Sequence, residues 1–361
     1  MPSLGFYCPR HFTATMMGLI IACGLPMLAA ASVEPEACLA KEMALADNLV
    51  TIGELRAKCA VAPTDVPAKD ALGSASEIKI LTQKNAEVQG LTANEGRLKL
   101  EEATDANPWV ITAHKPNYLL PLDYNANPNQ DPFVSEGEGD QIDHSEVKFQ
   151  FSSKFPLVRS LFSTQADMFF AYTNRSFWQL YSTASSAAFR ETNHEPEFFL
   201  TYPVDWSLFG WKNSSVALGV VHQSNGREEP LSRSWNRLYA SALFEQGNWG
   251  LSIKPWYRIP EEEKTDLSTT SGDDNPDIYK YMGYGEMRLS YHKQDHVITL
   301  MERNNFTSKS KGAVELDYSF PLYGKLKGYT QFFYGYGESL VDYNARSSRI
   351  SMGVAISDWV K

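Results

Sequence analysis

The sequence predicts an all-β protein, a transmembrane barrel of twelve antiparallel strands, behind a signal peptide and a partly helical or disordered N-terminal segment. Three observations predict it. From Trp109 onward apolar and polar residues alternate with period two, the mark of strands with unlike faces. The polar faces repeatedly carry full charges, as a hydrogen-bonded or water-filled interior requires, and the segments run to about ten residues, enough to cross a bilayer when tilted. Aromatics cluster near segment ends, in "YKYMGYGEM" and "YTQFFYGYGE", where an interfacial girdle would sit. A soluble β-sandwich also alternates; charge on the inner faces and segment length decide for the barrel.

The elements follow in chain order. Residues 1–31 read as a signal peptide: Arg10 and His11 precede an apolar run from Met16 to Leu28, and "LAAAS" offers small residues for cleavage near Ala31. Residues 32–106 read as a periplasmic segment. Its first part, "ACLAKEMALADNLVTIGELRAKCA", has a helical composition, "APTDVPAKDALGSAS" is a linker, and the charged remainder is weakly helical or disordered. From Ser32 to Pro108 the chain has no Phe, Trp or Tyr. That segment and the barrel therefore answer to different solvents. Cleavage would leave two cysteines, Cys38 and Cys59, which in an exported protein read as one disulfide. The formal charge of -10 and pI near 5.3 argue against a nucleic-acid partner.

Residues 107–361 form the barrel. In "EVKFQFSSKF", Val147, Phe149, Phe151 and Phe155 oppose Lys148, Gln150, Ser152 and Lys154; in "AVELDYSF", Val314, Leu316, Tyr318 and Phe320 oppose Glu315, Asp317 and Ser319. "WGLSIKPWYRI" and "RISMGVAISDW" alternate in the same way. Counting such segments between Trp109 and Lys361 gives twelve, an even number as bacterial barrels require.

One hairpin breaks the apolar rule. Along "SVALGVVHQSN", His222 and Ser224 share the lipid-directed face with Val216, Leu218 and Val220; along "SWNRLYASALF", Asn236 shares it with Leu238 and Ala240. Polar groups facing hydrocarbon cost roughly 1–3 kcal/mol each when unpaired, so pairing them with one another is favoured. His222 and Ser224, two apart, project side by side, and Asn236 across the hairpin can hold the other ring nitrogen. That is the order nucleophile, base, orienter. An amide as orienter brings no second charge into an apolar setting. The plainer alternative is a porin-like channel or structural barrel whose polar hairpin is only a loop. Ser232, Arg227 and the loop carbonyls likewise read as turn chemistry or as hard oxygen ligands for Ca²⁺.

The segments "HQSNGREEPLSRSWNRLY", "FRETNHEPE", "DDNPDIYKYMGY" and "YGYGESLVDYN" resemble, in order, those of the outer membrane phospholipase A family, over roughly Asn107 to the C-terminus. The resemblance implies a bacterial outer-membrane barrel with its active site on the lipid-facing wall. It implies a calcium-dependent serine hydrolase of glycerophospholipids that cleaves either acyl ester, acts on lysophospholipids too, and works as a homodimer. Ser224 would be nucleophile, His222 base and Asn236 orienter, with the Gly226 N–H in the oxyanion hole. The implied calcium ligands are Arg227 (through its carbonyl), Ser232 and Ser186 of the partner subunit, with a further calcium position at Asp274. Where the family commonly has Gln, this chain has Asn174, which implies a shorter reach across the dimer interface.

Overall fold

The computed structural model describes residues 112–134, 142–183, 188–262, 264 and 272–359. The signal peptide, the N-terminal segment with Cys38 and Cys59, and the domain boundaries at 31 and 106 all lie outside the described residues.

A two-residue strand β1 (Thr112–Ala113) precedes twelve long ones: β2 (Asn117–Asn125), β3 (Ser145–Val158), β4 (Asp167–Trp178), β5 (Phe189–Leu208), β6 (Trp211–Ser224), β7 (Ser234–Gln246), β8 (Trp249–Ile259), β9 (Gly285–Lys293), β10 (His296–Asn304), β11 (Gly312–Tyr323), β12 (Leu326–Tyr336) and β13 (Arg346–Ser357). Each pairs antiparallel with the next in sequence, and β13 returns to pair with β2, closing a twelve-stranded barrel. β1 adds to β3 outside that circuit. Closure leaves no unpaired sheet edge, which a strand structure in lipid requires. No helix of the described residues is long and apolar enough to cross a membrane.

Polarity is inverted relative to a soluble protein. The outer wall carries large apolar side chains: Leu122 is 65% exposed and Ile356 66%, with Phe198, Leu218 and Val220 also exposed. The inner wall carries charge at full burial, Glu146 and Lys148 being 0% exposed. These interior charges are paired. Lys148 donates to Glu338 at 2.8 Å and to Gln331 at 2.6 Å. Arg190 donates to Glu146 at 2.9 Å and to Asp342 at 2.6 Å. Glu197 takes Lys254 and His114 at 3.1 Å and Lys115 at 3.2 Å. One interior cavity of about 60 Å³, with Lys115, Arg175, Glu195 and Arg288 in its wall, has room for about two waters. Ion pairs fill the lumen where a channel would need an open bore.

Two expectations of detail change. Val147 keeps the phase of Phe149 and Phe151 but is covered, at 2% exposure. The aromatic runs are not simple girdles: Tyr329 and Phe333 point inward and are buried, while Phe332 and Tyr334 are exposed. Tyr281 sits in a short helix (Tyr279–Met282) and packs on Tyr336 and Tyr343. A period-two strand sends every second aromatic to the lumen, and a loop helix follows no strand period.

Turns at one end are tight, as at Phe209–Gly210 and Gly324–Lys325, whereas the opposite end carries the long connections β6–β7, β8–β9 and β12–β13. In outer-membrane barrels the long loops face outward from the cell. The polar hairpin lies at that end.

Candidate active site

β6 and β7 align His222 opposite Asn236 and Ser224 opposite Ser234. His222 is exposed on the same wall as Leu218, Val220 and Leu238, so the polar hairpin faces lipid as its phase requires. The imidazole Nδ1 lies 2.9 Å from the Asn236 Oδ1, and the Asn236 amide nitrogen donates to Glu261 at 2.9 Å. This second bond sets the chemistry of the first. A carboxylate only accepts, so the amide NH₂ must face Glu261 and its oxygen must face the ring. Nδ1 then carries the proton, which leaves Nε2 as an acceptor on the side where a hydroxyl proton can be taken. Among the described residues no hydrogen bond joins the Ser224 hydroxyl to the ring; such bonds commonly tighten only once substrate is bound.

Glu261 corrects one expectation. The amide was read as keeping a second charge out of the apolar setting, yet a carboxylate stands one bond behind it. Glu261 lies just beyond β8, in an acidic run whose loop position carries no periodic signal.

The hairpin is backed from inside by aromatic packing. Trp235 is fully buried, meets Trp256 edge-on at 6.1 Å, donates its indole N–H to Gln223 at 2.9 Å, and lies under the Arg237 guanidinium at 4.1 Å. Rotamers locked from behind fix the outward residues that alternate with them.

The β6–β7 loop is held by Asn225. Its side chain donates to the Leu231 carbonyl at 2.8 Å and accepts from the Arg233 N–H at 3.0 Å. Gly226 follows at φ +63, a left-handed backbone that glycine adopts without strain. Among the described residues its N–H donates to no protein acceptor. His194, on β5, pairs in register with Ser224, and Tyr172 lies 2.6 Å from its Nδ1. A Cβ added at Gly226 would stand 4.0 Å from the His194 ring. Sequence reading did not single out His194: its closeness depends on the β5–β6 register, and no spacing encodes that.

The metal expectations divide. Ser186 lies outside the described residues. Arg227, exposed in the loop, offers its carbonyl, and Ser232 offers its hydroxyl; both are hard neutral oxygens of the kind calcium takes. Ser232 donates its proton to Asp274 at 2.6 Å, which leaves its oxygen lone pairs free. That donor set fits calcium. The position at Asp274 does not fit as expected. Its other carboxylate oxygen takes the Lys264 ammonium at 2.6 Å, and Lys264 also donates to Glu229 at 2.5 Å. Burial raises the Asp274 pKa, but hydrogen bonds from Lys264 and Ser232 outweigh it and hold the carboxyl below its ordinary value. The same bonds, to Asp274 first and then Glu229, raise Lys264. No group of three or more His, Cys, Asp or Glu side chains among the described residues forms a metal cluster.

Asn174 stands on β4, opposite Phe151 and His194, and accepts the Ser176 hydroxyl at 3.0 Å. Its oxygen thus accepts from its own strand, on the same outward phase as the exposed Phe151.

Fold and hairpin define a class: a closed transmembrane barrel with a hydrogen-bonded polar cluster on its lipid-facing wall. Comparison with known proteins specifies it. The family model for phospholipase A1 matches residues 95–356. Phospholipase A1 of Escherichia coli K12 is 39% identical over 252 residues, 70% of this chain and 83% of that protein. The Klebsiella pneumoniae phospholipase A1 is 38% identical, over 70% of this chain and 84% of its own. Among solved structures, outer membrane phospholipase A from Escherichia coli superimposes with a TM-score of 0.63 at 38% identity, covering 70% of this chain and 93% of that one. The Salmonella typhi outer membrane phospholipase, solved as a dimer with bound calcium, gives a TM-score of 0.64 at 38% identity, over 70% of this chain and 94% of its own. The chain belongs to the phospholipase A1 family and is a β-barrel enzyme of the outer membrane.

Proposed function

We propose that this chain is a calcium-dependent serine hydrolase that releases fatty acid from either acyl position of membrane glycerophospholipids, and from lysophospholipids, as a homodimer. The observation that carries the reading is the chain of hydrogen bonds from Glu261 through Asn236 to His222, on the lipid-facing wall beside Ser224.

The Ser224 oxygen attacks the ester carbonyl carbon while His222 Nε2 takes the hydroxyl proton. Asn236 stabilises the imidazolium through Nδ1, and the Gly226 N–H donates to the oxyanion. The imidazolium then gives its proton to the departing glycerol oxygen as the C–O bond breaks. A water deprotonated by the same nitrogen frees the acyl group from Ser224 and restores its hydroxyl. The Arg227 carbonyl and the Ser232 hydroxyl, with Ser186 of the partner subunit, would hold calcium, which would supply fixed positive charge to the oxyanion. A single barrel offers lipid a convex wall, and a second barrel against Leu218, Val220 and Leu238 completes a groove for the acyl chain. The solved calcium-bound dimer of the Salmonella typhi relative supports this assembly.

Fatty-acid release from phospholipid in mixed micelles by the pure barrel tests the reading. Chelation is expected to lower the rate by about 10²–10³, the loss that follows removal of an oxyanion stabiliser, and added calcium restores it. A chelator-resistant rate refutes the calcium requirement. No release under any condition favours the structural-barrel alternative.

Glu261→Gln is expected to cut the rate about tenfold, since a hydrogen bond to a charged group contributes roughly 1.5–3 kcal/mol and part of it survives in the amide. Asn236→Ala should cost more, and once Asn236 is Ala the Glu261 substitution should have no further effect. Additive losses would show that Glu261 does not act through Asn236.

A further inference from the structure

The loop after β8 sends a second side chain to the hairpin besides Glu261. Lys264 reaches between two carboxylates from separate segments: Glu229 in the β6–β7 loop at 2.5 Å and Asp274 in the β8–β9 loop at 2.6 Å. All three side chains are largely withdrawn from solvent, at 6% exposure for Lys264, 8% for Asp274 and 23% for Glu229. Ser232 completes the group by donating to the far oxygen of Asp274 at 2.6 Å.

Around Asp274 the chain is tied down independently. Ser234 donates its N–H to Asn275 at 3.0 Å, Arg258 is ion-paired with Asp273, and Tyr343 donates to Asp277 at 2.7 Å. The two carboxylates are therefore brought together by the fold, and like charges so placed need a cation between them. The separations around the ammonium are close to the calcium–oxygen range of about 2.3–2.6 Å. Ammonium and divalent ion would occupy one position and exclude each other.

We propose that Lys264 is a tethered cation that takes the place of a divalent ion at the Glu229–Asp274 pair, so that this side of the loop assembles without metal. Ser232, held by Asp274, is then oriented before any calcium arrives at the Arg227 carbonyl. The proposal concerns cation binding, so its failure is distinct from failure of the hydrolase reading.

The test is calorimetric titration of the full-length barrel in non-ionic detergent with calcium chloride, folding being checked by heat-modifiable mobility on a gel. Lys264→Met removes the charge and keeps the apolar stem. It is expected to bind one more calcium per subunit, at least tenfold tighter than any such binding in the parent, and adding Asp274→Asn is expected to abolish that gain. A calcium isotherm identical to the parent's overturns the proposal. Should Lys264→Met not fold, Glu229→Gln with the lysine intact decides alone. Here the calcium affinity is expected to stay within twofold of the parent, because Glu229 holds an ammonium and not the metal. A tenfold loss in that variant would make Glu229 a calcium ligand and overturn the assignment.

Discussion

Ser224→Ala is expected to lower ester hydrolysis by at least about 10⁴ while leaving the barrel folded, because nucleophile and base act as a unit and losing either removes the covalent route. Stability should barely change. Ser224 is half-buried at the end of β6, and among the described residues its hydroxyl makes no hydrogen bond, so truncation removes no native contact of that kind. Hydrolysis of a phospholipid in mixed micelles, measured on protein that still shows folded gel mobility, separates the two effects. What survives would come from the Gly226 donor and from lipid binding. A rate within tenfold of the parent would sink the assignment of Ser224 and leave the outward cluster without a nucleophile.

Arg349→Met is expected to destabilise the barrel by about 3–5 kcal/mol, the usual result of removing one partner from a buried charge network. Arg349 is 1% exposed on the inner face of β13. It donates to Glu338 at 2.8 Å and to Glu146 at 3.5 Å, and is ion-paired with Asp123. Glu338 keeps Lys148 and Glu146 keeps Arg190, whereas among the described residues Asp123 keeps only the hydrogen bond from the Ser351 hydroxyl at 2.5 Å. The cost therefore falls mainly on Asp123. Adding Asp123→Asn should recover a large part of it. Urea unfolding of the barrel in detergent or lipid measures both variants; a loss under about 1 kcal/mol in the single variant would mean that water already screens the lumen.

Much of the fold could be read directly from residue order. Strand phase is local: a side chain two positions on returns to the same face whatever the rest of the chain does. Leu218, Val220 and His222 had to share a wall, and Asn236 and Leu238 had to share the facing one. Pairing of the two strands across the hairpin then made those faces one wall. The charges on the opposite phase, Lys148 or Glu315, similarly had to point into the lumen, and burial in hydrocarbon-enclosed space obliged them to pair.

Which partner each charge meets was not legible. Arg349 and Asp123 sit near opposite ends of the described chain and meet because β13 closes on β2. His194 stands beside Ser224 because of the β5–β6 register, which depends on every turn and irregularity between them. The aromatic runs were misread for a related reason, since a cluster in sequence divides between two faces in space.

The acidic loop after β8 marks the limit most plainly. In the sequence, "PEEEK" carries no periodic signal. In the folded protein Glu261 meets the Asn236 amide and Lys264 bridges Glu229 and Asp274. By itself the sequence determined the barrel, its inverted polarity and the outward hairpin of His222, Ser224 and Asn236, because period two is a property of neighbouring residues. Only the tertiary structure decided the carboxylate behind Asn236 and the ammonium beside Asp274, because a loop has no period and its contacts are set by where distant strands end.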